Sequence, residues 1–322
     1  MKSNATSCKS GRLVDRLHPR SSHPFDETGA VDLAAFARLC ERQIEAGVPA
    51  MVVGETAGEA STLTPAEHDS IVRAAVGIAR GRLRIIAGAG SNSTGQAIEL
   101  TRRAEAAGAD AVLSVVPYYK MQAGIHAHFR AIAHSTTLPI ILHDIPSRTN
   151  RELSDDTLAR LVESKQFIGL RDGTGDLARP LRLQPLLPPS FRLLSGEDAT
   201  ALAFFANGGD GCISTVSNVA PGLCQTIFSS CRQGGLQSAR YLQNRLAPLT
   251  ACLAKESPAA LKYALCLLGF ISPRTRLPIV ELSDCAKAEL ASAIAEIGDE
   301  DIACPTESWR GVGFHKGAAA TA

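Results

Sequence analysis

The stretch QFIGLRDGTGD, residues 166–176, contains the pattern that decides the fold: a short apolar run that ends in charged and glycine residues. Six further segments have the same form, and helix-like amphipathic stretches separate them. They are AMVVG (50–54), RLRIIAG (82–88), DAVLSVV (110–116), PIILHDI (139–145), FRLLSG (191–196) and DGCISTV (210–216). Strands that are apolar on both faces and alternate with helices are typical of a buried parallel sheet.

The segments between these strands predict helices, and their ends carry the expected signals. Thr64 and Ser154 can cap helix N-termini, while Gly81 and Gly108 are typical C-terminal stops. The predicted helices lie near 65–80, 94–107, 124–135, 154–164, 177–186 and 198–206. Repeated βα units of this kind predict an α/β fold, a (β/α)8 barrel over residues 24–233.

An eighth strand has room only before a helix predicted near 32–46. The segment GRLVDRLHPRSSHPF (11–25) is a poor strand, because Asp15, Arg16 and Arg20 interrupt its apolar run. We therefore expect a degenerate first strand, short or distorted, within a poorly ordered segment 1–23.

The pattern changes after residue 216, where only helices are predicted. They lie near 219–233, 235–252, 257–269 and 284–296. The first would complete the barrel, and residues 234–298 would form a small C-terminal helical region. The tail 299–322 is expected to be disordered.

Composition narrows the class of protein. The chain has 322 residues, 45% of them hydrophobic, which is ample for a buried core. Its net charge is +1 with scattered Lys and Arg, so neither nucleic acid nor a membrane is an expected partner.

The first twenty residues lack an apolar signal-peptide core, which favours a cytoplasmic location. Nine cysteines without a C-x-x-C pair argue against a zinc site or a disulfide framework, and no cofactor or metal is expected.

In such a barrel the reactive groups sit at the carboxyl ends of the strands. The motifs at those positions are ETAGEASTLTPAEH (55–68), IIAGAGSNST (85–94), VPYY (116–119), LHDIPSRTN (142–150), GLRDGTGD (169–176), LLSGEDA (193–199) and GGDGCIS (208–214). In order and spacing they resemble the dihydrodipicolinate synthase / N-acetylneuraminate lyase family over about residues 24–295. The resemblance implies a lyase that carries pyruvate as an imine on a lysine. It also implies a small 2-keto acid such as pyruvate as partner, and a homo-oligomer, commonly a tetramer.

The chain departs from the family at the centre of the predicted site. Arg171 stands where the resemblance places the imine-forming lysine, and a guanidinium, which stays protonated, cannot act as the amine nucleophile. His143 replaces the family's tyrosine at the end of strand five. Lys120 is the one lysine that follows the carboxyl end of a predicted strand, since Lys165 precedes strand six at the opposite mouth, and we interpret Lys120 as a solvated loop residue. The usual imine mechanism is therefore doubtful here.

Other candidate residues follow from the same resemblance. Thr56 and Tyr119 match members of a proton relay and complete the candidate catalytic set with His143 and Arg171. Ala57 lacks the hydroxyl that would hold the pyruvate carboxylate, although it occupies that substrate-binding position. The remaining substrate-binding candidates match the arginine near the second substrate's carboxylate, a residue whose backbone lines the pyruvate site, and a glycine of the pyruvate loop; they are Arg148, Ile213 and Glu55.

Glu55 introduces a carboxylate at a glycine position near the mouth of the predicted pocket, and an unpaired charge inside the top of the barrel would be costly. We expect the two side chains to form an ion pair within about 6 Å. Three functions stay open: pyruvate-dependent aldol chemistry with an altered site, a non-catalytic barrel, or a different reaction. The non-catalytic barrel would bind a small carboxylate through Arg171 and Arg148, or serve as an interaction partner. In the different reaction His143 would abstract a proton and Arg171 would stabilise the oxyanion.

Overall fold

A computed structural model of the chain describes residues 16–298 and residue 302. Within this part of the chain eight parallel strands form one sheet in the order β1-β8-β7-β6-β5-β4-β3-β2. The strands are β1 (Leu17–Pro19), β2 (Ala50–Val53), β3 (Arg84–Gly88), β4 (Ala111–Val115), β5 (Ile140–Asp144), β6 (Phe167–Asp172), β7 (Arg192–Ser195) and β8 (Gly211–Ser214). All seven strands predicted from the apolar runs are confirmed.

The first strand forms, although it is only three residues long. It pairs with β8, with His18 opposite Ile213. A single parallel bridge between Arg20 and Val52 joins it to β2 and closes the barrel. Residues 17–23 are buried, so the barrel begins before residue 24, where the sequence placed its start. Residues 1–15 lie outside the described part of the chain.

Helices follow the strands in regular alternation, to within about three residues of the predicted bounds. They are α1 (Leu33–Glu45), α2 (Pro65–Ala79), α3 (Thr94–Ala107), α4 (Gln122–His134), α5 (Asp155–Leu161), α6 (Arg179–Leu183), α7 (Ala201–Ala206) and α8 (Pro221–Arg232). Thr64 begins α2 in a capping box with Glu67, and Gly108 ends α3 in the left-handed conformation. Short helical turns occupy Thr56–Gly58, Ala60–Thr62, Pro146–Thr149, Gln184–Leu186 and Val216–Asn218.

Three further helices follow the barrel: α9 (Leu236–Lys255), α10 (Ala259–Leu267) and α11 (Asp284–Ala295). They share one apolar cluster with α1, α7 and α8, which places them against that side of the barrel. The predicted tail lies outside the described residues, apart from residue 302. No helix in the described part of the chain is both long and apolar enough to cross a membrane.

The barrel interior is apolar over most of its depth. Its inward-facing side chains form a separate cluster of Ala50, Val52, Ile86, Ala111, Leu113, Ile141, Ile168, Leu194 and Ile213. Because alternate residues of a strand face the same side, His143 follows Ile141 on the inner face of β5. The carboxyl end of the barrel is therefore the place where the interior changes from apolar to charged.

Candidate functional site

An open cavity of about 450 Å³ lies at the carboxyl ends of β2 to β5. Glu55, Thr56, His143 and Arg148 line it. Other polar side chains on its wall are Ser61, Thr64, His68, Ser91, Asn92, Gln96 and Thr149. The cavity therefore lies where a barrel of this kind holds its reactive groups.

The Glu55 carboxylate is the centre of a charged network. Its oxygens lie 3.1 Å from Arg20 Nη1, 3.7 Å from Arg171 Nη1 and 3.4 Å from His143 Nδ1. Thr56 Oγ1 donates a hydrogen bond to it at 3.0 Å. Burial alone would raise the pKa of Glu55, but these neighbours hold it well below its ordinary value. Glu55 is therefore ionised, and the ion pair with Arg171 expected within about 6 Å is present.

The Arg171 side chain is fully buried and contacts two residues that line the cavity, His143 and Glu55. Its Nη1 is 2.6 Å from His143 Nε2, and its Nη2 donates to the Gly196 carbonyl at 3.0 Å. Burial and the nearby Arg20 charge lower the pKa of Arg171 to about 9. Since this value is still about two units above neutral pH, the guanidinium stays protonated.

His143 is neutral in this network. Burial, and next the Arg171 charge, lower its pKa to about 4. We assign the ring proton to Nδ1, which faces the Glu55 carboxylate, because Nε2 must accept from Arg171. Both ring nitrogens are therefore engaged by protein groups.

Arg148 differs from the other cations of the site. It lies on the short helix Pro146–Thr149 and borders the cavity. The residue is exposed to solvent, and within residues 16–298 its guanidinium makes no hydrogen bond and no ion pair. An arginine of this kind can bind a carboxylate through two parallel hydrogen bonds.

The remaining predicted residues lie at different depths. Ala57 and Ile213 are buried, Ile213 within the barrel interior. Tyr119 is 60% exposed, packs against the Tyr118 ring at a centroid distance of 4.8 Å and is not among the residues that line the cavity. Lys120 is exposed, as expected for a solvated loop lysine. The structure thus brings Glu55, Thr56, His143, Arg148 and Arg171 together and leaves Tyr119 outside.

Arg20 is the site residue that sequence reasoning missed. It was read only as a charge that interrupts a poor strand, yet it follows β1 directly and therefore stands at a strand end. Besides Glu55 it binds the Thr215 hydroxyl through Nη2. Applying the strand-end rule to this degenerate strand would have identified it.

An ion pair with the C-terminal region stabilises the loop that carries Glu55 and Thr56. Glu59, in the left-handed conformation at φ 56°, forms a fully buried ion pair with Lys262 of α10 at 2.5 Å. Burial lowers the pKa of Lys262 to about 8, against the opposing effect of Glu59. Lys262 borders this loop and is not among the residues that line the cavity.

No group of three or more His, Cys, Asp or Glu side chains within residues 16–298 is placed to hold a metal ion. The fold and the site together define a parallel (β/α)8 barrel with a charged pocket at the carboxyl ends of its strands. The chain belongs to the dihydrodipicolinate synthetase family, which matches residues 14–297.

Relatives and solved structures agree with this assignment. The chain is 45% identical to a 4-hydroxy-tetrahydrodipicolinate synthase of Methylobacterium radiotolerans over 85% of this chain and 93% of the relative. It is 46% identical to the same enzyme of Hyphomonas neptunium over 85% of this chain and 95% of the relative. The synthase structure from Methylacidiphilum fumariolicum superposes with a TM-score of 0.85 at 37% identity, covering 88% of this chain and 96% of that one. The structure of the chloride-inhibited enzyme of Acinetobacter baumannii complexed with pyruvate superposes with a TM-score of 0.84 at 37% identity. The superposition covers 88% of this chain and 99% of that one.

Proposed function

We propose that this chain is a dihydrodipicolinate synthase-like barrel that does not use imine chemistry and instead binds a small carboxylate in its cavity. The observation that carries the proposal is the state of Arg171, at the position that the resemblance gives to the lysine. Its protonated guanidinium is fully buried and engaged by His143, Gly196 and Glu55. A group so held has neither the lone pair nor the freedom to attack a carbonyl carbon.

Arg148 supports the choice of ligand. Its guanidinium borders the cavity without an ionic partner in the described part of the chain, which suits a ligand carboxylate. The pyruvate bound in the structure of the Acinetobacter baumannii enzyme makes a 2-keto acid the natural class to test. Cytoplasmic location and homo-oligomerisation stay predictions.

Acid/base catalysis by His143 and Arg171 is a weaker candidate. A base with a pKa of about 4 is poorly matched to proton abstraction near neutral pH. In addition, Arg171 occupies the nitrogen that would take the proton. These contacts favour binding over proton transfer at this position.

Calorimetry with pyruvate tests the ligand, using Arg148→Leu and the exposed Arg160→Leu as a matched control. We expect pyruvate to bind the wild type and Arg160→Leu equally, and Arg148→Leu to lose at least about tenfold in affinity, because a charge-assisted hydrogen bond contributes about 1.5–3 kcal/mol. Equal binding by all three proteins would remove Arg148 from the site.

Borohydride reduction in the presence of pyruvate, followed by mass spectrometry, tests the mechanism. An imine on any lysine would be fixed as a stable adduct, whereas we expect the mass of the protein to stay unchanged. An adduct that maps to a lysine would overturn the proposal that imine chemistry is absent.

A further inference from the structure

We propose that Glu55 acts as a built-in anion that fills the central carboxylate position of the barrel mouth and thereby determines which ligands the cavity accepts. The inference rests on the proposed function, in which the cavity binds a small carboxylate. It makes Glu55 a specificity-determining residue, because a ligand carboxylate can then bind only on the Arg148 side.

The surroundings of the Glu55 carboxylate are those of a bound carboxylate ligand. Two guanidinium groups, an imidazole nitrogen and a hydroxyl, from Arg20, Arg171, His143 and Thr56, face its oxygens within 3.7 Å. The Glu55 side chain keeps 12% of its surface exposed and lines the cavity. Its carboxylate therefore lies between the buried cations and the space open to a ligand.

The cations retain unused donors even with Glu55 in place. The Nε atoms of Arg20 and Arg171 are buried and have no hydrogen-bond partner in the described part of the chain. Asp198, a second carboxylate whose charge acts on Arg171, is already bound by the Ser214 hydroxyl and by the Thr215 and Val216 amides. Glu55 is thus the anion that offsets these two buried guanidinium charges, and its removal would leave a strong anion site.

The backbone on both sides of Glu55 is also held in place. His23 accepts a hydrogen bond from the Gly54 amide at 3.1 Å through Nε2, and its Nδ1 lies 2.6 Å from the Gly58 carbonyl. The imidazole therefore braces the loop on both sides of Glu55. Gly88 also packs closely here, since a Cβ at that position would lie 2.1 Å from the Gly54 carbonyl oxygen. A ligand that enters the cavity therefore meets the Glu55 carboxylate in the position set by its contacts with Arg20, Arg171 and Thr56.

The test measures pyruvate affinity by calorimetry in the wild type, in Glu55→Ala and in Glu163→Ala, a control at an exposed carboxylate. We expect Glu55→Ala to bind pyruvate at least about tenfold more tightly, because the truncation both empties the carboxylate position and leaves two guanidinium groups available to the ligand. This gain should persist when Arg148→Leu is added and disappear when Arg171→Met is added. Glu163→Ala should behave as the wild type.

Formate titration provides a second measurement, because Glu55→Ala leaves two buried cations unpaired and lowers stability. We expect formate to raise the melting temperature of Glu55→Ala more steeply than that of the wild type, since an anion that binds the native state stabilises it. Equal formate responses together with equal pyruvate affinities would overturn the inference.

The outcomes for Glu55 and for the proposed function are separable. Arg148-dependent binding by the wild type, with no gain in Glu55→Ala, would refute the role of Glu55 and leave the carboxylate site standing. A gain in Glu55→Ala that depends on Arg171, with no binding by the wild type, would refute the carboxylate site and support the role of Glu55.

Discussion

Replacing Lys262 with methionine tests how the C-terminal region supports the loop of the candidate site. The Lys262 ammonium and the Glu59 carboxylate are both fully buried and lie 2.5 Å apart. Methionine keeps an apolar side chain of similar length but leaves Glu59 with a single backbone donor, the Arg276 amide at 3.0 Å. The buried Glu59 carboxylate would then lose its ammonium partner and keep only the attraction of the Arg276 charge among the cations described near it.

The expected loss of stability is large. Breaking a buried ion pair by removing one partner typically costs about 3–5 kcal/mol. Lys262 also lies over the Phe25 ring, 3.8 Å from its centroid, and that cation–π contact is lost as well. For a domain of this size the melting temperature should fall by roughly 5–15 °C.

Urea and thermal unfolding followed by circular dichroism would measure the effect in Lys262→Met, Glu59→Gln and the double variant. Lys255→Met is the matched control, because Lys255 is an exposed lysine paired with Glu289 at 3.4 Å, and surface pairs contribute about 0–1 kcal/mol. The double variant should be more stable than Lys262→Met by at least about 1 kcal/mol, since it removes the orphaned charge. A loss below about 1 kcal/mol in Lys262→Met, or strictly additive losses in the double variant, would refute the reasoning.

Three further predictions concern the charges of the site and of the loop. Arg171→Lys with His143→Tyr should trap pyruvate only weakly under borohydride, because Glu55 would keep the new lysine protonated; adding Glu55→Gly should increase trapping, and unchanged trapping would count against that explanation. The His143 ring should show no titration between pH 5.5 and 8 by NMR, since its pKa is lowered to about 4; a midpoint near 6.5 would contradict the network. The hydrogen bond from Arg276 lowers the pKa of Glu67 from 4.5 to about 2, so its stabilisation is present above pH 4.5 and is lost as pH falls towards 2. The melting-temperature difference between wild type and Glu67→Gln should therefore be smaller at pH 3 than at pH 6, and an equal difference would exclude this linkage.

Most of the fold could be predicted from the sequence because each buried strand is a continuous apolar run. The first strand is the exception, since Leu17–Pro19 is short and Arg20 follows it at once. Its position is set by pairing with β8 and by the bridge to Val52, both distant along the chain. Local periodicity contains no information on such contacts.

The candidate site was predictable where the chain departs from a family motif. Glu55, His143 and Arg171 were identified in this way, and they do meet at the mouth of the barrel. Arg20 and Lys262 were not, because each acts through a partner on a different element, Glu55 and Glu59 respectively. A charged residue gives no sign in the sequence of which distant charge it will meet.

Closure of the barrel has a consequence for the order of events during synthesis. The first strand joins its neighbour β2 by one bridge and depends on β8 for its ladder, and Arg20 meets Thr215 across 195 positions of sequence. At translation rates of about 5–20 residues per second, this strand waits roughly 10–40 s for its partner to emerge. The charged mouth is thus assembled near the end of barrel formation, when the earliest and latest strands of the ring meet.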